Sequence, residues 1–169
     1  MTEAALPGGR QPLRLGAAEG ARLLALLLPL GLLGGALGSQ YVGGLVPCEM
    51  CYWQRWPHAA AILLGALAFA GAAASPRSRA LTLLAAAAIA VSGGIGVYHA
   101  GVEIGILEGI TPCTAGGATT LEDIMKVPLV RCDQVQWAFL GISMAGWNAI
   151  LSLGGAALIV WLSLKARAR

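Results

Sequence analysis

The sequence predicts an all-α membrane protein, a four-transmembrane-helix bundle with one extracytoplasmic loop between the third and fourth spans. Two observations lead to this fold class. Apolar residues make up 57% of the chain and charged residues only 11%, whereas soluble domains carry about 25% charged residues. The apolar residues also fall into four runs of about 20 residues or more, the length that an α-helix needs to cross a bilayer.

The four spans account for most of the chain and leave no room for a second folded unit. We expect a single membrane domain over residues 1–169, with a flexible cytoplasmic lead at 1–22 and one loop at 103–136. The expected spans are 23–46, 52–74, 80–102 and 137–164. The first span is longer than the apolar core of a secretory signal peptide, so we expect it to remain as a membrane anchor.

The positions of lysine and arginine predict the orientation of the bundle. Most of the eleven basic residues lie before the first span, between the second and third spans, or after the fourth. These residues are Arg10, Arg14, Arg22, Arg77, Arg79, Lys165, Arg167 and Arg169. Because short cytoplasmic loops are enriched in Lys and Arg, we expect both termini to face the cytoplasm. The net charge of +3 thus reflects topology, and we expect no binding to nucleic acid.

Four cysteines form two pairs that this topology puts on the same, non-cytoplasmic side. Cys48 and Cys51 make a C-x-x-C motif before the second span, and Cys113 and Cys132 lie in the long loop. A thiol at a helix N-terminus or beside a cation is activated as a thiolate. Cys48 meets the first condition, and Arg55 lies one helical turn after Cys51. We therefore expect the first thiol of the motif to be activated and the four cysteines to exchange disulfides.

Two other interpretations of the cysteines remain open at this point. Four cysteines are a familiar ligand set for structural zinc, although such sites usually combine two closely spaced pairs. The cysteines could also form two purely structural disulfides, since an extracytoplasmic loop is oxidising. The small ring closed by a C-x-x-C disulfide constrains little chain, however, and so favours redox chemistry for that pair.

Small residues are expected to hold the helices together, because lipid offers no hydrophobic force between them. Gly31 with Gly35 and Gly34 with Gly38 are four residues apart on the first span, and Gly141 with Ala145 has the same spacing at the fourth. These pairs predict close helix contacts on those faces.

Several sequence blocks resemble the DsbB family in the same order along the chain. Val46-Pro-Cys-Glu-Met-Cys-Tyr-Trp-Gln-Arg-Trp-Pro57 is similar to the P-C-x-x-C-x-x-x-R signature that opens the second span of that family. Tyr98-His-Ala-Gly-Val-Glu103, Pro112-Cys-Thr and Cys132-Asp-x-x-x-Trp137 resemble further blocks. A C-x-x-C-x-x-x-R motif after one span, combined with a cysteine pair in the loop between the third and fourth spans, is a specific combination that carries the resemblance to this family.

The resemblance implies a disulfide oxidoreductase of the bacterial inner membrane. Such an enzyme reoxidises a periplasmic thioredoxin-fold thiol oxidase similar to DsbA and passes the electrons to a quinone, either ubiquinone or menaquinone. By this analogy the catalytic cysteines are Cys48, Cys51, Cys113 and Cys132, paired at rest as 48 with 51 and 113 with 132. Arg55 and His99 are the expected quinone-binding residues, with Glu103 placed to orient His99.

Three alternatives accompany this interpretation. A relative similar to DsbI would serve a different soluble partner, and a bundle of the vitamin K epoxide reductase type would run related chemistry with its loop cysteines before the C-x-x-C. A four-span scaffold protein with loop-bracing disulfides would have no enzymatic activity. His58 lacks an evident partner in the sequence and is not assigned to the site.

Overall fold

The computed structural model describes residues 16–110 and 130–167 of the chain. Within these residues, four α-helices follow one another, with a short hairpin before the last. They are α1 (Ala17–Tyr41), α2 (Glu49–Ala68), α3 (Pro76–Glu103), β1 (Ala138–Phe139), β2 (Ile142–Ser143) and α4 (Met144–Arg167). α1, α3 and α4 are long and apolar enough to cross a membrane by length and composition. The expectation of a mostly helical membrane protein is thus confirmed.

Local sequence signals explain where the helices begin. Ser75 caps α3 by accepting a hydrogen bond from the Ser78 backbone N–H at 3.2 Å, and Pro76 occupies the first turn, where its missing N–H costs nothing. α1 starts at Ala17, ahead of the expected Leu23, so part of the predicted flexible lead is helical. α4 starts at Met144 and not at Trp137, because residues 138–143 form the hairpin.

The hairpin turns at Leu140 and Gly141, both with positive φ (52° and 77°). Two consecutive residues with positive φ are typical of the type I′ turn, which matches the twist of a tight antiparallel hairpin. Ala138 pairs with Ser143, and Phe139 pairs with Ile142. The hairpin fixes how the chain enters α4 at the end of the bundle that carries the cysteines.

The bundle core consists largely of alanine. α3 packs against α2 and α4, and α1 packs against the same two helices on the other side. The residues at the centre of the core are Ala21, Ala25, Ala61, Ala85, Ala86, Ile89, Ala156 and Ile159. Small side chains let the helix backbones approach closely, which is the usual basis of helix association in lipid.

Of the small residues predicted to mediate this packing, Ala145 lies in a close helix contact and the five glycines do not. A Cβ atom added at Gly31, Gly34, Gly35, Gly38 or Gly141 would meet nothing within 4 Å. Close contacts between helices occur instead at other glycines, which include Gly65 of α2, Gly96 of α3 and Gly155 of α4. A Cβ at Gly65 would lie 3.1 Å from the Ala25 carbonyl oxygen of α1, and a Cβ at Gly96 would lie 3.0 Å from the Ala145 carbonyl oxygen of α4.

Candidate functional site

The C-x-x-C pair sits where α2 begins. Cys48 is the N-cap residue of α2, and its Sγ accepts a hydrogen bond from the Cys51 backbone N–H at 3.4 Å. The two sulfur atoms are 2.9 Å apart, the arrangement of a hydrogen-bonded pair of thiols. Cys48 is 2% exposed, and Cys51 is partly buried. The pair is therefore largely shielded from water and poised to close a disulfide.

The hydrogen bond between the two thiols decides which sulfur keeps its proton. The hydrogen bond to Cys51, together with burial, raises the pKa of the Cys48 thiol far above its ordinary value. This direction favours Cys48 as the sulfur that keeps its proton and Cys51 as the sulfur that carries a single negative charge on the pair. The sequence predicted activation of the first thiol and did not consider the second thiol as its hydrogen-bond partner; the raised pKa of Cys48 favours the opposite assignment.

The described part of the loop brings Cys132 next to the C-x-x-C pair. Its thiol hydrogen-bonds with that of Cys48, and both side chains belong to a buried cluster with Met50, Val102 and Val130. Cys113, the other loop cysteine of the predicted site, lies outside the described residues. Cys48 and Cys132 are 84 positions apart in the sequence, so only the fold could bring them into contact.

His99 reaches the cysteines from α3. Its Nε2 is 3.5 Å from the Cys48 sulfur and 3.9 Å from a Glu103 carboxylate oxygen, and the ring also hydrogen-bonds to the Cys132 backbone. The nearest partner of its Nδ1 is the Gln54 side-chain amide at 2.8 Å. The sequence predicted Glu103 as the group that orients His99; Glu103 lies near Nε2, and Gln54 contacts the other ring nitrogen at a shorter distance. Glu103 also accepts a hydrogen bond from Ser143.

Arg55 is anchored within the protein. Its guanidinium donates to the side-chain oxygen of Gln40 and, at 3.2 Å, to the carbonyl oxygen of Ala36 on α1. It also lies 5.1 Å from the centre of the Tyr52 ring. None of the ion pairs among the described residues includes Arg55, while it interacts electrostatically with Cys51. The cation is thus available to a negative charge on that sulfur.

A cavity of about 620 Å³ opens beside the cysteines between the helices. One wall is made of small and apolar residues of α1, and the opposite wall carries the polar groups. The lining includes Gly31, Leu32, Gly35, Ala36, Cys48, Cys51, Gln54, Arg55, His58, His99, Glu103, Met144, Trp147 and Asn148. Ligand pockets of about 300–1,000 Å³ with mostly apolar walls and a few polar groups typically hold a small organic molecule.

Buried polar side chains continue from the cysteines into the bundle. His58, unassigned from the sequence, hydrogen-bonds through Nε2 to the Asn148 side-chain oxygen at 2.9 Å and to the Ser92 hydroxyl at 2.9 Å. Asn148 in turn donates to Gln54 at 2.8 Å. Sequence reasoning missed these four residues. Their polarity inside otherwise apolar spans was the available signal, because such residues in membrane helices usually mark functional sites.

A metal site must also be considered at this cluster. Cys48, Cys51 and His99 each place one potential ligand atom within 4.8 Å of the others, and the Cys132 thiol hydrogen-bonds with that of Cys48. The four-cysteine zinc site considered from the sequence therefore reappears as a possible Cys and His ligand set.

Comparison with known proteins gives one consistent result. The family model described as "Disulfide bond formation protein DsbB" matches residues 18–162. Proteins named "Disulfide bond formation protein B" are similar to this chain along most of its length. The one from Methylococcus capsulatus is 35% identical over 153 residues, covering 82% of this chain and 91% of the relative. The one from an Azoarcus species is 32% identical and covers 98% and 99%.

A third relative of the same name, from Xanthomonas euvesicatoria, is 31% identical and covers 86% of this chain and 90% of its own length. No solved structure matches the chain significantly.

Proposed function

We propose a specific electron path for this chain, which belongs to the DsbB family and is a membrane disulfide oxidoreductase. Electrons enter from a periplasmic thioredoxin-fold thiol oxidase similar to DsbA at the loop pair Cys113 and Cys132. They pass by disulfide exchange to Cys48 and Cys51 and leave to a membrane quinone. The observation that carries the proposal is the contact of Cys132 with Cys48, beside a cavity that reaches both Cys51 and Arg55.

The contact between Cys132 and Cys48 supports one order of exchange. When the soluble partner has reduced the loop pair, the Cys132 thiolate attacks Cys48 of the closed C-x-x-C disulfide. A Cys132–Cys48 bond forms, the Cys48–Cys51 bond breaks, and Cys51 leaves as a thiolate near Arg55. Cys113 then attacks Cys132, and Cys48 is released to take up a proton. The loop pair ends oxidised, and the C-x-x-C pair ends reduced.

The residues around the cavity fit a quinone. Arg55 and His58 both line it, and each has a buried side-chain nitrogen, Nε and Nδ1 respectively, without a hydrogen-bond partner among the described residues. A quinone has a flat apolar ring and two carbonyl oxygens, which match the small-residue wall of α1 and the polar groups opposite. Bound there, it would accept the two electrons and two protons that the thiols of Cys48 and Cys51 give up on forming their disulfide.

We also propose that all four helices span the membrane and that the end of the bundle with the cysteines faces the periplasm. α2 contains Gln54, Arg55 and His58, which lower its hydropathy, but Gln54 and His58 are buried in the bundle at 7% and 3% exposure. A helix whose polar side chains face its neighbours can span lipid. Arg22, Arg79 and Lys165 lie toward the end of the bundle opposite the cysteines. We therefore propose the bacterial inner membrane as the location, with both termini cytoplasmic.

A quinone-reductase assay with matched arginine variants tests the function. The purified protein receives a reduced thioredoxin-fold dithiol and a soluble quinone, and quinone loss is followed by absorbance. We expect turnover by the wild type and none by Cys51→Ser. We expect Arg55→Met to lower kcat/KM for quinone by about tenfold or more, the value of a hydrogen bond to a charged group.

Arg22→Met is the control for Arg55→Met. Arg22 also stacks on an aromatic ring, Phe69 at 4.4 Å, and donates to a neighbouring main-chain carbonyl, Gly71 at 3.0 Å. It does so at the other end of the bundle, so its loss should leave quinone reduction unchanged. Equal losses in both variants would contradict the role of Arg55, and a wild-type protein without turnover would refute the proposed electron path.

A further inference from the structure

Next to the cysteines, the side chains of Gln54 and Asn148 hydrogen-bond to each other and to main-chain carbonyls. The carbonyls show which atom of each side-chain amide is the donor. A main-chain carbonyl only accepts hydrogen bonds, and an amide NH₂ group only donates them. Gln54 Nε2 donates to the Met50 carbonyl oxygen at 3.1 Å, and Asn148 Nδ2 donates to the Ser92 carbonyl oxygen at 3.2 Å. The bond from Asn148 Nδ2 to Gln54 Oε1 at 2.8 Å agrees with both orientations. Neither amide can be reversed without losing these bonds.

The orientation of Gln54 determines where His99 carries its proton. The Gln54 NH₂ group lies 2.8 Å from His99 Nδ1, so Nδ1 must present a lone pair. A neutral imidazole with a lone pair on one nitrogen has its proton on the other. That nitrogen, Nε2, is the one that faces the Cys48 sulfur at 3.5 Å.

We propose that Gln54 is a positioning residue, which holds His99 as the neutral Nε2–H tautomer so that this N–H points at the two residues that exchange, at the Cys48 sulfur and the Cys132 backbone. The inference rests on the proposed electron path, since it assigns a role in the exchange step of that path. Cys48 is the central sulfur when Cys132 attacks it and Cys51 departs, and negative charge spreads over the three sulfurs in that step. A fixed donor at the central sulfur stabilises this charge without transferring a proton.

The same tautomer argues against a metal at this cluster. A histidine that binds a metal through Nε2 needs its lone pair there and usually donates its Nδ1–H to an acceptor. Here Nδ1 faces an NH₂ group, so metal binding would require Gln54 to turn over and give up its bonds to Met50 and Asn148. The potential ligand atoms are close together, but Gln54 holds His99 as the Nε2–H tautomer, which has no lone pair on Nε2 for a metal ion.

Nitrogen NMR of the full-length reduced protein tests the proposal directly. The chain has two histidines, so a His99→Gln sample assigns the His99 signals in a spectrum of ¹⁵N-histidine protein. We expect a protonated Nε2 and an unprotonated Nδ1 for His99 in the wild type. A protonated Nδ1 in the wild type would overturn the proposal. The spectrum needs no turnover, so it stands apart from the outcome of the quinone assay.

Two variants extend the test to the reaction. Gln54→Glu puts an acceptor opposite Nδ1 and should move a proton onto that nitrogen. Gln54→Leu removes the partner of Nδ1 and should slow transfer from the loop pair to Cys48 and Cys51 by about tenfold, measured by quenched-flow alkylation. Ser152→Ala, which removes only a hydroxyl bonded to the far side of Asn148, should change neither the tautomer nor the rate. Wild-type transfer in Gln54→Leu would overturn the positioning role.

Discussion

At the scale of single residues, the two thiols of the C-x-x-C motif have different roles because their surroundings differ. Cys48 is enclosed and is approached by Cys51, Cys132 and His99. Cys51 is more open and lies near Arg55. The enclosed sulfur is suited to accept attack from the loop, and the open one is suited to hold the negative charge and meet the electron acceptor.

This asymmetry predicts the order in which the reduced thiols react with iodoacetamide. Only the thiolate reacts, and the raised pKa of Cys48 keeps its thiolate fraction at pH 7 below that of an ordinary thiol. We expect Cys51 to be alkylated about tenfold faster than Cys48 at pH 7, with Cys48 catching up only as the pH rises above the ordinary thiol range. Peptide mass spectrometry after timed labelling measures both rates.

Cys51→Ser provides the control for that ordering. It weakens the hydrogen bond that raises the pKa of Cys48 while leaving Cys48 buried, so Cys48 should react faster in the variant than in the wild type. If Cys48 is labelled first in the wild-type protein at pH 7, the assignment of the charge to Cys51 is wrong.

At the scale of helices, Gly31 and Gly35 of α1 leave space, whereas Gly65 of α2 and Gly96 of α3 remove it. Gly31 and Gly35 line the cavity, and nothing lies within 4 Å of a Cβ built on either. Gly65 and Gly96 instead bring neighbouring backbones close together. The spacing of small residues in the sequence pointed to the α1 glycines and not to Gly65 or Gly96, and it could not distinguish a packed face from a cavity wall.

The cavity wall predicts a specific effect of enlarging Gly35. Gly35→Leu adds a side chain on the face that lines the cavity, so we expect the KM for quinone to rise by roughly tenfold while the helical content and thermal stability stay unchanged. Gly34→Leu is the matched control, because Gly34 is equally open but does not line the cavity. Steady-state kinetics with varied quinone measure the effect, and equal KM values in the two variants would contradict the binding site.

At the scale of the whole molecule, the sequence predicted the elements better than it predicted their contacts. Apolar run length is a local property, and it located four helices with each end within seven residues of the observed one. The C-x-x-C motif and Arg55 were also visible, because their spacing is local. The partnership of His99 with Gln54, and of His58 with Asn148, depends on how α2, α3 and α4 are packed. No periodicity in a single helix encodes such contacts between helices.

The fold separates the two ends of the bundle, and this predicts which reagents reach each end. α3 has 28 residues, which is about 42 Å at 1.5 Å per residue and exceeds a hydrocarbon core of about 30 Å. Its first turn follows Ser75, and its last lies beside Cys48 and Cys132. If the cysteine end is periplasmic, Ser75 must lie on the cytoplasmic side.

Membrane-impermeant maleimide on intact spheroplasts checks this separation. In a variant that lacks the four native cysteines, we expect Ser75→Cys to be labelled only after the membrane is opened. A cysteine introduced at Leu140 in the exposed hairpin turn should be labelled from outside without opening, because the hairpin leads into α4 at the cysteine end. Both positions are exposed or partly exposed, so burial does not explain a difference. Labelling of Ser75→Cys from outside would mean that the bundle is inverted, and labelling of both from one side would mean that α3 does not span the membrane.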